Sequence, residues 1–323
     1  MADKKGNELA LLEILKRYSD EDHILTQPEL LERMQGYGYD LDRRTLYSSI
    51  ETLQRNGYDI STYRDNGKGY FLESRLLEKS EVIMLSNSIH ANTNIPEAEA
   101  NALVNKLFST LSRYEEKAFR EKVYLPNRKK KKNRDFFLNI EIINEAIRDK
   151  VCVVFDYMHY DLNKKLVPRK DHKYVVHPYY MVNQGDKCYL VGKTEPHTGL
   201  SHYRIDRIRN MTISEQERDN MSTLHEDPYE YAQNKLFMYG GDEEWFTLRC
   251  HISILDNMID TFGTNVSLSK DDEEHFSMRV QSTRPGIIYL ALQYMKYMEI
   301  TDPADARDEV KKILDEAVAR YGQ

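Results

Sequence analysis

The stretch SHYRIDRIRN (201–210) sets three arginines, Arg204, Arg207 and Arg209, among apolar Tyr203, Ile205 and Ile208. A guanidinium is a planar fork of donors that stays charged and fits a carboxylate or a phosphate bidentately. Two kinds of anion can answer it. Inside the chain, Asp206 lies between Arg204 and Arg207 and can pair with one of them to hold the local fold shut. Outside it, a phosphate-bearing ligand is the natural partner. In an ideal strand Arg204 and Arg207 face opposite sides, because side chains alternate. Both reach one pocket only through a bulge, or if the strand ends at Asp206.

A second basic pair, Arg43 and Arg44, opens the segment RRTLYSSIETLQRN (43–56). Asp42 is its N-cap, and Leu46, Ile50 and Leu53 recur on one face as in an amphipathic helix. The other face carries Arg43, Arg44, Tyr47, Ser48 and Glu51. Arginines at an exposed helix start can address phosphates and base edges in the major groove, with Thr45, Tyr47 and Ser48 adding hydrogen bonds. The next run, YDISTYRDNGKGYFL (58–72), predicts two short strands around an Asn-Gly turn. Arg64, Asn66 and Lys68 on that hairpin would reach the backbone or the minor groove. Asp40, Asp42, Glu51, Asp59 and Asp65 dilute this surface, so surface ion pairs are the alternative reading. Binding to double-stranded operator DNA is then weak per monomer and calls for a homodimer.

These side chains need a scaffold. NELALLEILKRY (7–18) predicts an amphipathic helix with Leu9, Leu12 and Leu15 inward, Leu11 and Ile14 beside them. LTQPELLERM (25–34) predicts a second, with a Thr26–Glu29 capping box and Pro28 in its first turn. Three helices and a hairpin predict a winged helix-turn-helix over 1–74. A helical and basic linker follows over 75–134, with Ile83, Leu85, Ile89, Leu103, Leu107 and Leu111 packing, and with the run NRKKKKNRD (127–135) as a solvated connector.

With 323 residues the chain predicts several domains, and a net charge of -7 argues against indiscriminate coating of nucleic acid. No 18-residue apolar run or leader occurs, so no membrane partner is expected and the location is cytoplasmic. Cys152, Cys188 and Cys250 are far apart with no CxxC pair, which predicts core thiols rather than metal ligands or disulfides. No cofactor is implied. No nucleophile elbow, phosphate-binding loop or zinc-protease motif is present, and His159, His172, His177 and His202 are scattered, so no enzyme is expected.

From residue 135 the pattern turns to β. FFLNIEIINEAIRDK (136–150) predicts a helix feeding the strand VCVVFDY, and KYVVHPYYMVNQGDKCYLVGK predicts strand, Pro-Tyr bend, strand, turn and strand. The order of Tyr157, Pro178-Tyr179, Cys188-Tyr189-Leu190 and the run YRIDRI resembles the WYL domain of bacterial transcriptional regulators. In that family the tripeptide is Trp-Tyr-Leu and a later strand ends in an Asp-Arg-Ile-type motif. Here cysteine replaces the tryptophan, while Asp206, Arg207 and Ile208 are intact. The resemblance implies a small SH3/Sm-like β-barrel over 135–215 that senses a nucleotide or single-stranded nucleic-acid effector. It places Tyr157, Lys173, His177, Tyr189, Arg204 and Arg207 at the effector site, tyrosine rings offering stacking faces. Where the family usually has an arginine before the strand, this sequence has Lys173 or Tyr174.

An acidic linker is expected over 216–240, from the stretch SEQERDNMSTLHEDPYEYAQNK (214–235). The order of strands and helices over 241–323 predicts a ferredoxin-like α/β domain, similar to the WCX-type extension of those regulators and suited to dimerisation. The fold class is thus multidomain α+β. The expected function is a ligand-responsive transcription regulator; an oligonucleotide-binding module of nucleic-acid defence or repair, without promoter specificity, is the alternative.

Overall fold

The structure, a computed structural model, describes residues 6–120, 135–196, 199–219 and 235–322. The chain divides into two compact units, Met1–Lys132 and Asn133–Gln323. It is a mixed α+β protein, with helices first and a curled sheet in the middle.

In the first unit, helices α1 (Asn7–Tyr18), α2 (Gln27–Gly36) and α3 (Arg43–Arg55) share one apolar core. The inward row of α1 is Leu11, Leu12, Ile14 and Leu15, whereas Leu9 is 70% exposed, so the buried stripe excludes the first leucine of the predicted face. Thr26 N and Oγ1 each donate to Glu29 Oε2 at 2.7 Å, and Thr45 N donates to Asp42 Oδ1 at 2.7 Å, so both predicted caps are formed. Strands β1 (Ile60–Ser61) and β2 (Phe71–Leu72) pair antiparallel. Their connection differs from the two-residue Asn-Gly turn. Tyr63–Asn66 make one helical turn, α4, capped by Asp65 accepting from Thr62 N at 2.8 Å. The Asn66 amide then closes the loop, donating to Ser61 Oγ and Gly69 O and accepting from Lys68 N and Gly69 N, all within 3.0 Å. Gly69 must lack a side chain because a Cβ there would collide with the backbone carbonyl of Leu25.

Three further helices complete this unit: α5 (Lys79–Ala91), α6 (Glu97–Phe108) and α7 (Arg113–Arg120). Their buried row is Val82, Val104, Phe108 and Leu111, with the predicted Ile89 and Leu107 packed against it; on α5 the fully inward positions are Val82, Ser86 and His90, and the predicted Leu85 is exposed. Arg75 fastens these helices to α1. Its Nη1 donates to Lys16 O at 2.9 Å and Thr110 O at 3.3 Å, its Nη2 donates to Ser19 O, and Glu115 lies 3.5 Å from its Nε. Ser112 Oγ donates to Asp20, and Arg17 pairs with Glu116 at 3.0 Å. A guanidinium 8% exposed is compensated here by three carbonyls and a carboxylate.

The second unit begins with α8 (Phe136–Asp149), β3 (Val151–Tyr160), β4 (Leu166–Pro168), β5 (Tyr174–Gln184), β6 (Lys187–Lys193), β7 (Leu200–Arg204) and β8 (Ile208–Glu217). β3 pairs with β4, β5 and β8, and β5, β6 and β7 follow in order, all antiparallel. One 3₁₀ turn, Ile205–Arg207, carries the chain from β7, the last strand of that run, to β8 on β3 near its other end, which obliges the sheet to curl. The predicted Pro-Tyr bend is a register shift between Pro178 and Tyr180 inside the continuous β5. Opposite it, a Cβ on Gly192 would lie 2.6 Å from His177 O, so the close strand approach needs glycine. Helix α8 covers the sheet with Ile143 and Ala146, and its buried Asn139 Nδ2 donates to Ile208 O at 3.2 Å. Of the predicted acidic linker, 216–240, residues 216–217 end strand β8 and Leu236–Met238 form a 3₁₀ turn with Leu236 and Met238 buried; 220–234 lie outside the described residues, as does the lysine run before Asp135.

Residues 243–321 form β9 (Glu243–His251), α9 (Leu255–Phe262), β10 (Ser267–Lys270), β11 (His275–Thr283), α10 (Arg284–Gln293), β12 (Met298–Asp302) and α11 (Ala304–Tyr321). The sheet order is β10-β11-β9-β12, antiparallel throughout. Phe246, Leu248 and Cys250 of β9 pack with Met278 and Val280 of β11 and with Ile287 and Leu290 of α10. Arg284 Nε and Nη2 donate to Glu244 at 2.7 and 2.8 Å, and its Nη1 lies 2.8 Å from Asp305, tying sheet to helices. Among the described residues no helix is long and apolar enough to cross a membrane.

Candidate nucleic-acid and effector sites

On the outer face of α3, Arg43, Arg44, Tyr47 and Ser48 are exposed. Thr45 is half-buried and its N–H is committed to Asp42. Neither Arg43 nor Arg44 makes an ion pair among the described residues, and the same holds for exposed Arg64 and Lys68 on the hairpin loop. A cleft of about 770 Å³ between α3, the start of α2 and that loop includes Tyr47, Glu51, Arg64 and Lys68 in its walls. Tyr47 donates to Gln27 Oε1 at 3.4 Å, and burial with the Tyr47 hydrogen bond pushes the Tyr70 phenol up to about 12. Two of the diluting acids have structural work. Hydrogen bonds from Thr45 and Thr62 hold the Asp42 and Asp65 carboxyls below the usual range. Asn66 differs from its predicted neighbours, since both polar atoms of its amide are engaged inside the loop.

The three arginines of 201–210 have three different fates. Strand β7 ends at Arg204, two residues before Asp206, and the 3₁₀ turn that follows breaks the alternation that would set Arg204 and Arg207 on opposite sides. Arg204 donates from Nε and Nη2 to the two carboxylate oxygens of Asp206, each at 3.0 Å, and Asp206 is 2% exposed. Desolvation pulls the Arg204 pKa down, but the hydrogen bond and charge of Asp206 outweigh it and the net shift is upward. The Arg204 N–H donates to the Tyr157 hydroxyl at 3.1 Å. Arg209 Nη1 donates to Asp206 O at 3.1 Å and Ile208 O at 2.7 Å. Of the three, only Arg207 has a buried guanidinium nitrogen without a hydrogen-bond partner among the described residues: it is half-buried and the atom is its Nε.

Aromatic rings surround this turn. Phe155, Tyr157, Tyr174 and Tyr203 form a nest with centroids 5.3 to 6.4 Å apart. Burial raises the phenol pKa of Tyr157 and Tyr189, while the charges of Arg204 and Arg207 oppose it, which places both guanidiniums within electrostatic reach of both rings. Residues 139–213 match the WYL domain family.

The WYL match spans most of α8 through the first half of β8 and so contains the whole arginine turn and its aromatic nest. Among solved structures, the proteasome accessory factor B/C (PafBC) of Arthrobacter aurescens is similar at 14% identity and TM-score 0.29 over 98% of this chain. The chain spans about half, 49%, of that protein's length. A CRISPR Cas-related protein is similar at 18% identity and TM-score 0.40, over 76% of this chain and 74% of its own. No curated protein matches the sequence.

Of the predicted effector residues, the WYL turn brings together Tyr157, Tyr189, Arg204 and Arg207. Lys173 is exposed and makes no ion pair among the described residues. His177 is 3% exposed and committed elsewhere: its Nδ1 accepts from Asp219 N at 3.0 Å and lies 3.3 Å from Cys152 Sγ. Lys170 sits 4.8 Å from the Tyr174 ring centroid, a cation that sequence reasoning missed. Phe155 and Tyr203 were missed too, although the spacing of Phe155 and Tyr157 on one strand puts both on the same face. Among the described residues no group of three or more His, Cys, Asp or Glu can hold a metal ion.

Proposed function

We propose that this chain is a DNA-binding transcriptional regulator whose promoter binding responds to a nucleotide or single-stranded nucleic-acid effector held by the WYL segment. In this reading residues 1–74 act as a winged helix-turn-helix that reads operator DNA through Arg43, Arg44 and the hairpin loop. The segment 241–323 acts as a ferredoxin-like dimerisation domain, its strand order supporting that description. The protein works in the cytoplasm and performs no catalysis. The observation that carries the reading is Arg207: a half-buried guanidinium with a buried, unpartnered Nε, in the same 3₁₀ turn as the Asp206 that engages Arg204, is a donor awaiting an anion. Effector control follows if the ligand binds two arrangements of the DNA-reading heads with different affinity.

The test compares wild type with Arg207→Gln on DNA recovered by genomic pull-down, with and without added single-stranded oligonucleotide. The variant is expected to retain operator binding and lose the response to effector. An unaltered response refutes the assignment. The acids interleaved with Arg43, Arg44 and Arg64 favour a second reading, an oligonucleotide-binding module in defence or repair. Footprinting separates the two: a discrete protected site supports the regulator, and length-dependent, sequence-blind protection supports the module.

A further inference from the structure

Apart from the α3 cleft, the first unit holds another concentration of cations. On α7, Arg113, Glu116, Lys117 and Arg120 recur at i, i+3, i+4 and i+7, so the helical period gathers them on one face, while Glu115 turns inward to Arg75. Arg17 and Tyr18 at the end of α1 form the facing wall, and these side chains line one cavity of about 560 Å³. Arg17, Arg113, Lys117 and Arg120 set four positive charges against the one carboxylate of Glu116, a surplus of three.

That carboxylate is already answered. Glu116 Oε1 accepts from Arg120 Nε and Nη2 at 3.0 and 2.8 Å, and its Oε2 accepts from Arg17 Nη1 at 3.0 Å. Arg113 and Lys117 are exposed, and neither makes a hydrogen bond or an ion pair among the described residues. Arg113 stacks instead, its guanidinium carbon 5.5 Å from the ring centroids of both Tyr18 and Tyr114. Arg33 of α2 lies 4.4 Å from the same Tyr18 ring, and its Nε is buried with no hydrogen-bond partner among the described residues. A guanidinium steadied by an aromatic ring keeps its N–H fork available to an anion at little further cost in ordering.

The size of the surplus selects the class of anion. A lone carboxylate or orthophosphate leaves much of it uncompensated, whereas linked phosphates bring several negative charges into one concave site on adjacent groups. A duplex backbone or an acidic peptide needs a longer track of cations. On the α1 side that track is interrupted by Glu13, exposed one turn before Arg17 on the same helix face.

We propose that this cavity binds a chain of linked phosphates, as free polyphosphate or as the phosphate end of a nucleotide. Arg113 and Lys117 are its first contacts, and Arg17 and Arg120 turn to it in part from Glu116. Because Arg17 belongs to α1 and the other cations to α7, a bound chain ties the two helices together across the junction that Arg75 spans. The site lies in a different unit from the WYL segment and does not rest on the reading of Arg207.

The test titrates the full chain with inorganic tripolyphosphate, orthophosphate and adenosine triphosphate, followed by calorimetry at one fixed ionic strength because salt screens exposed charges. Tripolyphosphate is expected to bind about tenfold or more tightly than orthophosphate, the gain from one further charged hydrogen bond. Arg113→Gln and Lys117→Gln break no hydrogen bond or ion pair among the described residues, so both should melt as wild type does. Each is expected to weaken tripolyphosphate about tenfold to about a hundredfold. Glu116→Gln should tighten it, since Arg17 and Arg120 are then released, and Arg207→Gln should leave it unchanged. Adenosine triphosphate as tight as tripolyphosphate, and equally sensitive to Arg113→Gln, makes a nucleotide the source; weaker binding makes it the free chain, and either result supports the site. Failure of tripolyphosphate to bind, affinity no better than that of orthophosphate, or indifference to both Arg113→Gln and Lys117→Gln overturns the proposal. If the two variants instead lose affinity for duplex DNA or for an oligoglutamate peptide while wild type ignores tripolyphosphate, the face serves a macromolecule and the proposal is wrong.

Discussion

Arg204 and Arg207 differ by three positions and not at all in chemistry, yet the structure assigns them opposite costs. Arg204→Ala strips the guanidinium from Asp206, whose side chain is 2% exposed. Removing one member of a buried pair costs about 3–5 kcal/mol, and the 16% exposure of Arg204 points to the lower end, about 3 kcal/mol. For a unit the size of Asn133–Gln323 that is a fall in Tm of about 6–12 °C. Arg207→Ala breaks no hydrogen bond or ion pair among the described residues and removes an unsatisfied buried Nε, so its stability change stays within about 0.5 kcal/mol. Thermal unfolding of the two variants followed by circular dichroism reads this directly. The double variant Arg204→Ala/Asp206→Ala adds a control: deleting both charges should recover part of the Arg204→Ala loss. Equal losses at the two arginines would refute the reasoning, since Arg207 would then hold the fold as firmly as Arg204.

Acid stability offers another measurement. Burial first and nearby Lys235 second push the His202 pKa from 6.5 down to about 4. Between those values the unfolded chain takes up a proton that the folded chain refuses, so this stabilisation is complete above about pH 6.5 and lost as pH falls, on the order of 3 kcal/mol in all. His202→Gln should flatten the fall of Tm across that window relative to wild type. If α3 reads DNA as proposed, Arg43→Ala or Arg44→Ala should reduce the slope of log K against log salt by about 0.9 for each lost phosphate contact. Asn66→Ala should instead lower thermal stability by about 1–3 kcal/mol, because four hydrogen bonds close the loop through its amide. Thiol reagents should label none of the cysteines rapidly at neutral pH: burial raises Cys152, pushes Cys188 to about 11 and pushes Cys250 to about 12, so labelling should wait for unfolding.

Features set by neighbours in the chain were legible from the residues alone. The Thr26–Glu29 box and the Asp42 cap need only a three-residue spacing, and the inward row Leu46, Ile50, Leu53 needs only the helical period. The hairpin loop was misread because two local signals compete there. The Thr62–Asp65 box nucleates a helical turn, and Asn66 spends its side chain on the loop, so the Asn-Gly rule never operates. On α5 the predicted face was half right: Ile89 packs on the core, but Leu85 is exposed, and Ser86 and His90, polar by type, lie inward with Val82. The arginines of 204–209 stood out by composition, but which one Asp206 would take depended on where β7 ends, a matter of one 3₁₀ turn. Strand β10, SLSK, is exposed at every position and has no alternation to betray it. The left-handed pair Phe237 and Met238 has no glycine to announce it, and its companion ring Tyr289 arrives from a distant helix.

The Arg75 clamp has a mechanical corollary. With one guanidinium holding the ends of α1 and α6 and facing the cap of α7, a twist imposed on α7 has no slack in which to dissipate before it reaches α1. Residues 75–120 then behave as a rigid extension of α1, not as a swivel beneath it. Loosening that clamp would leave each part folded while the torque between them vanished.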